Sequence, residues 1–130
     1  MKRIILGLSL LLILVQNGFA RSDAEWNQKI SNAVLEVDKQ IARCNKIATN
    51  HIQSGDVNIC LKALKLEEKI YPNATNVIAA LYGNVGLLYD ESKGDKLKAY
   101  KYYMKAARLG SIQAQKNLNI MCKESSWACK

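Results

Sequence analysis

Apolar residues recur every three or four positions along most of the chain, and this spacing is typical of amphipathic helices. From residue 23 the stripe contains Trp26, Ile30, Val34 and Ile41 and continues to about residue 50. Residues that form turns or end helices interrupt it at four later points. The pattern predicts five helices, over about 23–50, 57–71 and 75–90, from Asp95 to Leu109, and from Ser111 through Met121.

The predicted helices are joined by short connections, so successive helices should lie antiparallel. No segment shows the alternation of polar and apolar residues that a half-buried strand requires. The predicted fold class is therefore all-α, a short antiparallel helix-hairpin solenoid of about five helices. We expect residues 21–130 to form a single domain.

The first twenty residues have the three parts of a secretory signal peptide. Lys2 and Arg3 precede an apolar run over residues 4–15, and a more polar segment with Gly18 and Ala20 follows. A membrane anchor is the alternative, but a spanning helix needs roughly 20 apolar residues and this run is shorter. We predict cleavage near Ala20, no stable membrane anchor afterwards, and a periplasmic or secreted protein.

All four cysteines lie beyond the predicted cleavage site. An even count behind a signal peptide indicates disulfide bonds formed in an oxidising compartment. Of the three possible pairings we favour Cys44–Cys60 and Cys122–Cys129, which close the two shortest loops. Each would contribute about 2.5–3 kcal/mol in the chain-entropy account. A metal site is the alternative, but the spacings do not match zinc motifs, and we predict no metal or other cofactor.

The chain is basic, with a formal net charge of +8 that removal of Lys2 and Arg3 would lower to +6. The lysines recur singly between apolar residues rather than in clusters, which is typical of solvated helix faces. We therefore predict no nucleic-acid binding. A positive surface instead favours a protein partner that has an acidic surface.

Motifs for the common catalytic sites are missing from the sequence. The single histidine, His51, lies in a predicted loop without a partner. The adjacent acids Glu67-Glu68 and Asp90-Glu91 are best interpreted as solvated surface. Most tyrosines occur at core spacing and are expected to pack, whereas the sequence leaves open whether Trp127 is buried. We expect a non-catalytic protein.

Residues 77–118 resemble a Sel-type repeat of the tetratricopeptide-like family. The matching positions alternate small and large residues along two helices and a turn: Leu81, Gly86, Tyr89, Ala99, Tyr103, Ala106, Ala107, Gly110, Ala114 and Leu118. The small residues would let the two helices pack closely, and the tyrosines would fill the gaps. The match covers one repeat, and residues 56–72 are similar to the second helix of an earlier one.

The resemblance implies a protein-binding module with a groove formed by the first helix of each pair. The groove-facing positions of the third predicted helix would be Ala80, Gly83, Leu87, Asp90 and Glu91. Small size and export favour an inhibitor or immunity-type protein that neutralises an exported toxic enzyme. The alternatives are an envelope adaptor or regulator that binds a signalling or cell-wall protein, and, less favoured, a hydrolase of cell-wall or β-lactam substrates.

The signal-peptide interpretation predicts that the exported protein begins at Arg21. Intact-mass measurement of the protein purified from a periplasmic extract should show the loss of residues 1–20. A chain recovered only from the membrane fraction, with those residues still attached, would establish the anchor instead.

Overall fold

The computed structural model describes residues 23–50 and 52–130, and the predicted signal segment, Ser22 and His51 lie outside them. Within these ranges all regular structure is helical, as predicted, and no strand occurs. The helices are α1 (Asp23–Asn50), α2 (Val57–Ile70), α3 (Thr75–Glu91), α4 (Lys96–Arg108) and α5 (Ile112–Glu124). Short 3₁₀ turns cover Ile52–Ser54 and Ser126–Ala128. The predicted bounds are correct to within three residues, and the largest difference is at the end of α5, which continues to Glu124.

Residues 39–130 form one compact unit, and the first part of α1, residues 23–38, belongs to a separate unit. A single domain over residues 21–130 stays a prediction. The core of the larger unit has two clusters of buried side chains. One is built from the end of α1 with α2 and α3, and the other from α4 and α5. Tyr82 and Tyr89 on α3 contact both clusters.

The helix ends follow from local chemistry, as the sequence predicts. Asp56, Asp95 and Ser111 each accept a hydrogen bond from a backbone N–H in the first turn of the next helix. Gly110 ends α4 with a φ of +96°, a conformation that favours glycine. The N–H of Gly110 donates to Ala107 O and the N–H of Ser111 donates to Ala106 O, which together form a Schellman motif.

Both predicted disulfides are present. Cys44–Cys60 joins the last turns of α1 to the first turn of α2, with 4.7 Å between the Cα atoms, and both residues are fully buried. Cys122–Cys129 ties the C-terminal tail to α5. Trp127, within that closed loop, is 59% exposed, so it does not plug the last helix.

Helices α3 and α4 pack antiparallel, and Gly86 is the point of closest approach. A Cβ atom on Gly86 would lie 2.7 Å from Cδ1 and 2.9 Å from Cε1 of Tyr103, whose side chain is fully buried. The sequence predicts the same close approach at Gly83, one turn earlier, because a glycine inside a helix costs stability, and that prediction is wrong. No atom of the described residues lies within 4 Å of the position where its Cβ would be.

The two glycines make a matched pair for measuring this packing. Gly86→Ala should lower the free energy of unfolding by about 1–3 kcal/mol, because the buried Tyr103 ring has no room to move. Gly83→Ala should raise it by up to about 1 kcal/mol, because alanine favours the helix and meets no neighbour. Urea unfolding followed by circular dichroism measures both. Shifts in the same direction for the two variants would contradict the packing described here.

Candidate functional site

The five predicted binding residues lie on one face of α3, because their spacing of three and four matches the helical period. Their environments differ along the helix. Ala80 and Glu91 are exposed, Gly83 and Leu87 are half-buried, and Asp90 is buried. Leu87 packs against the α4–α5 cluster. The face is therefore open at its two ends, at Ala80 and Glu91, and closed at Asp90.

A groove runs between α1 and α3 beside Ala80, and we call it the α1–α3 groove. It encloses about 280 Å³ and is lined by Ile41, Asn45, Asn76, Val77, Ala80 and Leu81. Asn84, one turn beyond Ala80, holds the two helices together. Its amide donates to Asn45 Oδ1 at 2.8 Å and approaches Cys44 Sγ at 3.6 Å. One hydrogen bond therefore joins α1 to α3 beside the groove, next to the disulfide that joins α1 to α2.

Gly83 has no structural reason within the described residues to be glycine. A glycine inside a helix costs about 1 kcal/mol relative to alanine. That cost is usually accepted where a neighbour approaches closely, as Tyr103 does at Gly86. At Gly83 no described residue occupies the corresponding space. Together with exposed Ala80, which lines the groove, it gives α3 two small residues one turn apart.

Asp90 takes part in a buried polar network rather than in an open surface. Its carboxylate forms an ion pair with Lys96 Nζ and lies 3.5 Å from the Tyr103 hydroxyl, which donates to it. The hydrogen bond to Asp90 raises the pKa of Lys96. Burial, and then the charge of Asp90, raises the pKa of Tyr103. The network links the end of α3 to α4.

Glu67 is fully buried, so its interpretation as solvated surface is wrong. It follows Cys60, Ala63 and Leu64 at helical spacing, and these residues form the inward face of α2. Glu68 is exposed, as expected.

Tyrosines and lysines from α3 and α4 form a second surface, which we call the aromatic–basic face: Tyr82, Tyr89, Tyr102, Lys98 and Lys105. The Tyr102 ring stacks on Tyr89 with centroids 5.5 Å apart and is tilted against Tyr82 at 6.1 Å. Lys98 Nζ lies 5.2 Å from the Tyr89 ring centroid. Lys105 Nζ lies over Tyr82 and Tyr102, at 5.3 and 5.5 Å. Cation–π contacts of this kind hold the ammonium groups in defined positions.

A cavity of about 420 Å³ opens at one end of this face, and we call it the Pro72 cavity. Tyr82 forms part of its wall, and its hydroxyl donates a short hydrogen bond to the Glu68 carboxylate. Burial, and then this hydrogen bond, raises the pKa of Tyr82 to about 12. The cavity is lined by Glu68, Pro72, Thr75, Ile78, Tyr82, Lys105, Arg108 and Leu109.

Sequence reasoning missed the Pro72 cavity, because its lining comes from α2, the α2–α3 turn, α3 and α4. One signal for it was present. The α4 segment KLKAYKYYMKAAR contains five basic residues and no acidic one. We had interpreted its lysines as ordinary solvated surface and the tyrosines as packing.

No group of three or more His, Cys, Asp or Glu side chains within residues 23–50 and 52–130 is placed to hold a metal ion. In the same part of the chain, no helix is long and apolar enough to cross a membrane. All four cysteines are disulfide-bonded, as the pairs Cys44–Cys60 and Cys122–Cys129.

Comparison with protein-family models, with curated proteins and with solved structures finds no match for this chain. The Sel-type resemblance therefore stays a prediction, and the sites are argued from their own geometry.

The raised tyrosine pKa values predict the response of the protein to alkali. Both Tyr82 and Tyr103 have folded-state values above the ordinary 10.0. Their contribution to stability should be complete below pH 10 and be lost progressively as the pH rises above it. Ultraviolet absorbance titration of the folded protein should show Tyr82 ionising near pH 12.

Two variants test whether the absorbance change near pH 12 comes from the ionisation of Tyr82. Tyr82→Phe should remove it, and Glu68→Gln should move it to lower pH, because the amide oxygen that replaces the carboxylate carries no negative charge. If all six tyrosines of the folded protein ionise together near pH 10, the described burial of Tyr82 and Tyr103 is contradicted.

Proposed function

We propose that this chain is a protein-binding module and that it binds its partner at the α1–α3 groove. The observation that carries this proposal is the glycine at position 83, which does not line the groove itself but lies one turn beyond Ala80, which does. It costs helix stability, and nothing in the described residues occupies the space it leaves open. Proteins commonly give up stability where a surface is shaped for function.

The chemistry of the groove suits a polypeptide partner. Its floor has apolar side chains, including Ile41 and Val77, and the Asn45 and Asn76 amides add hydrogen-bonding groups. An apolar centre with polar groups at the rim is the usual composition of a protein interface. The small residues Ala80 and Gly83 would let a partner's backbone or a large side chain approach α3 closely.

The rigidity of the groove supports selective binding. The Cys44–Cys60 disulfide joins the end of α1 to α2, and the Asn84–Asn45 hydrogen bond joins the same end of α1 to α3. A surface that is already in its bound shape loses less conformational entropy when it binds. Disulfides are also consistent with a protein that works in an oxidising compartment.

The role that we propose is inhibition of an exported enzyme, as an immunity-type protein inhibits a toxin. It rests on the expected export of a small, rigid chain that has a preformed groove. The proposal also draws on the Sel-type resemblance of residues 77–118, in which Gly86 and Tyr103 are among the matching positions.

The groove proposal predicts that Ala80→Arg removes binding. The full chain, exported and oxidised in its native host, is used to capture partners from an envelope extract, followed by mass spectrometry. We expect one stoichiometric enzyme, whose activity falls on binding, and we expect its loss with Ala80→Arg because an exposed arginine blocks the groove.

Ala33→Arg is the matched control, because Ala33 is also exposed on a helix but does not line the groove. Partners that bind Ala80→Arg as well as the wild type would contradict the groove proposal. A captured partner whose activity does not change would replace inhibition with the adaptor role.

A further inference from the structure

We propose that the aromatic–basic face and the Pro72 cavity together form a second binding surface, whose ligand is an acidic protein segment carrying one apolar anchor side chain. The cavity would take the anchor, and the lysines and arginine of α4 would take the flanking carboxylates. This surface goes beyond the function proposed above, because the Pro72 cavity and the α1–α3 groove have no lining residue in common. Both are lined in part by residues of α3.

Charge supports an acidic ligand. At the start of α4, Lys96 pairs with Asp90, and Lys98 lies 3.7 Å from Asp95. Farther along, Lys101, Lys105 and Arg108 are exposed, and the helix has no acidic residue to offset them. Each carboxylate of a ligand could therefore form a charge-assisted hydrogen bond with one of these cations without breaking an ion pair within α4.

The position of Lys105 is already fixed before binding. Its ammonium group lies over two rings, Tyr82 and Tyr102, which also contact each other. A flexible lysine normally loses side-chain entropy when it pairs with a ligand. Here the rings have already restricted the side chain, so less entropy remains to be lost. Lys105 also lines the cavity, and this places the fixed cation next to the proposed anchor position.

The cavity has the size and lining for one large apolar side chain. Its volume of about 420 Å³ is at the lower end of ligand pockets. Pro72, Ile78 and Leu109 supply apolar surface, and Lys105 and Arg108 supply cations. The one carboxylate in the lining, Glu68, already accepts the hydrogen bond from Tyr82.

Three other occupants fit less well. A second copy of this basic chain would bring like charges together. Single-stranded nucleic acid needs free ring faces for stacking, but Tyr102 is stacked on Tyr89 and Lys105 covers two rings. A lipid surface is flat and would leave a concave cavity unfilled. An acidic segment with an anchor satisfies both the charge and the shape.

The test uses the full chain, oxidised, and a fluorescent polyglutamate peptide with a single central leucine as the probe. Fluorescence anisotropy should show binding that weakens as salt rises from about 20 to about 150 mM, because salt screens exposed charges. The double variant Lys105→Glu, Arg108→Glu should weaken it by at least about tenfold. The single charge reversal Lys116→Glu, at an exposed position of α5 that does not line the cavity, should change it by less than about twofold.

Two further variants separate the cavity from the charges. Lys105→Met keeps an apolar side chain over the rings but removes the charge, and it should weaken binding. It therefore tests the charge of Lys105 even if the double variant does not fold. Thr75→Phe fills the cavity without changing the charge. It should abolish the advantage of the leucine peptide over an all-glutamate peptide and leave the weaker all-glutamate binding intact.

The proposal is overturned if the peptide does not bind, if Lys116→Glu weakens binding as much as the double variant, or if leucine gives no advantage. It is also overturned if the double variant loses binding to phosphatidylglycerol vesicles or to single-stranded DNA while peptide binding persists. Ala80→Arg keeps this test separate from the groove proposal. It should leave peptide binding unchanged even if it removes the captured partner.

Discussion

The contact between Tyr103 and Gly86 is the constraint on which both surfaces of α3 depend. Because Gly86 has no side chain, the fully buried Tyr103 ring lies directly against the backbone of α3. Its hydroxyl reaches Asp90, which holds Lys96 at the start of α4. One aromatic side chain therefore fixes both the separation of the two helices and their register. A change in either would displace Tyr82 from Tyr102 and from Lys105.

The helix α3 then has different neighbours around its circumference. Asn84 and Ala80 take part in the groove with α1, Gly86 meets α4, and Tyr82 reaches the aromatic–basic face and the Pro72 cavity. A helix held on several sides moves little, so its exposed positions keep a defined geometry. This property makes the small-residue region at Ala80 and Gly83 suited to recognition.

Much of the fold could be predicted from sequence, because the controlling signals are local. Helical periodicity and the caps at Asp56, Asp95 and Ser111 gave the five helices. The spacing of four cysteines gave both disulfides. The site was less predictable. Asp90 and Glu67 are acids at buried helix positions, and their polarity alone indicates exposure. The Pro72 cavity joins residues distant in sequence, and no single segment encodes it.

The proposed contact of the α1–α3 groove with a partner protein can be tested by site-specific photo-cross-linking in the native host. A photoreactive amino acid would replace Ala80, and in a parallel strain Lys62, which is exposed on α2 and lines neither the groove nor the cavity. We expect one discrete protein adduct from position 80 and none from position 62. Equal labelling at the two positions, or no adduct from position 80, would contradict it.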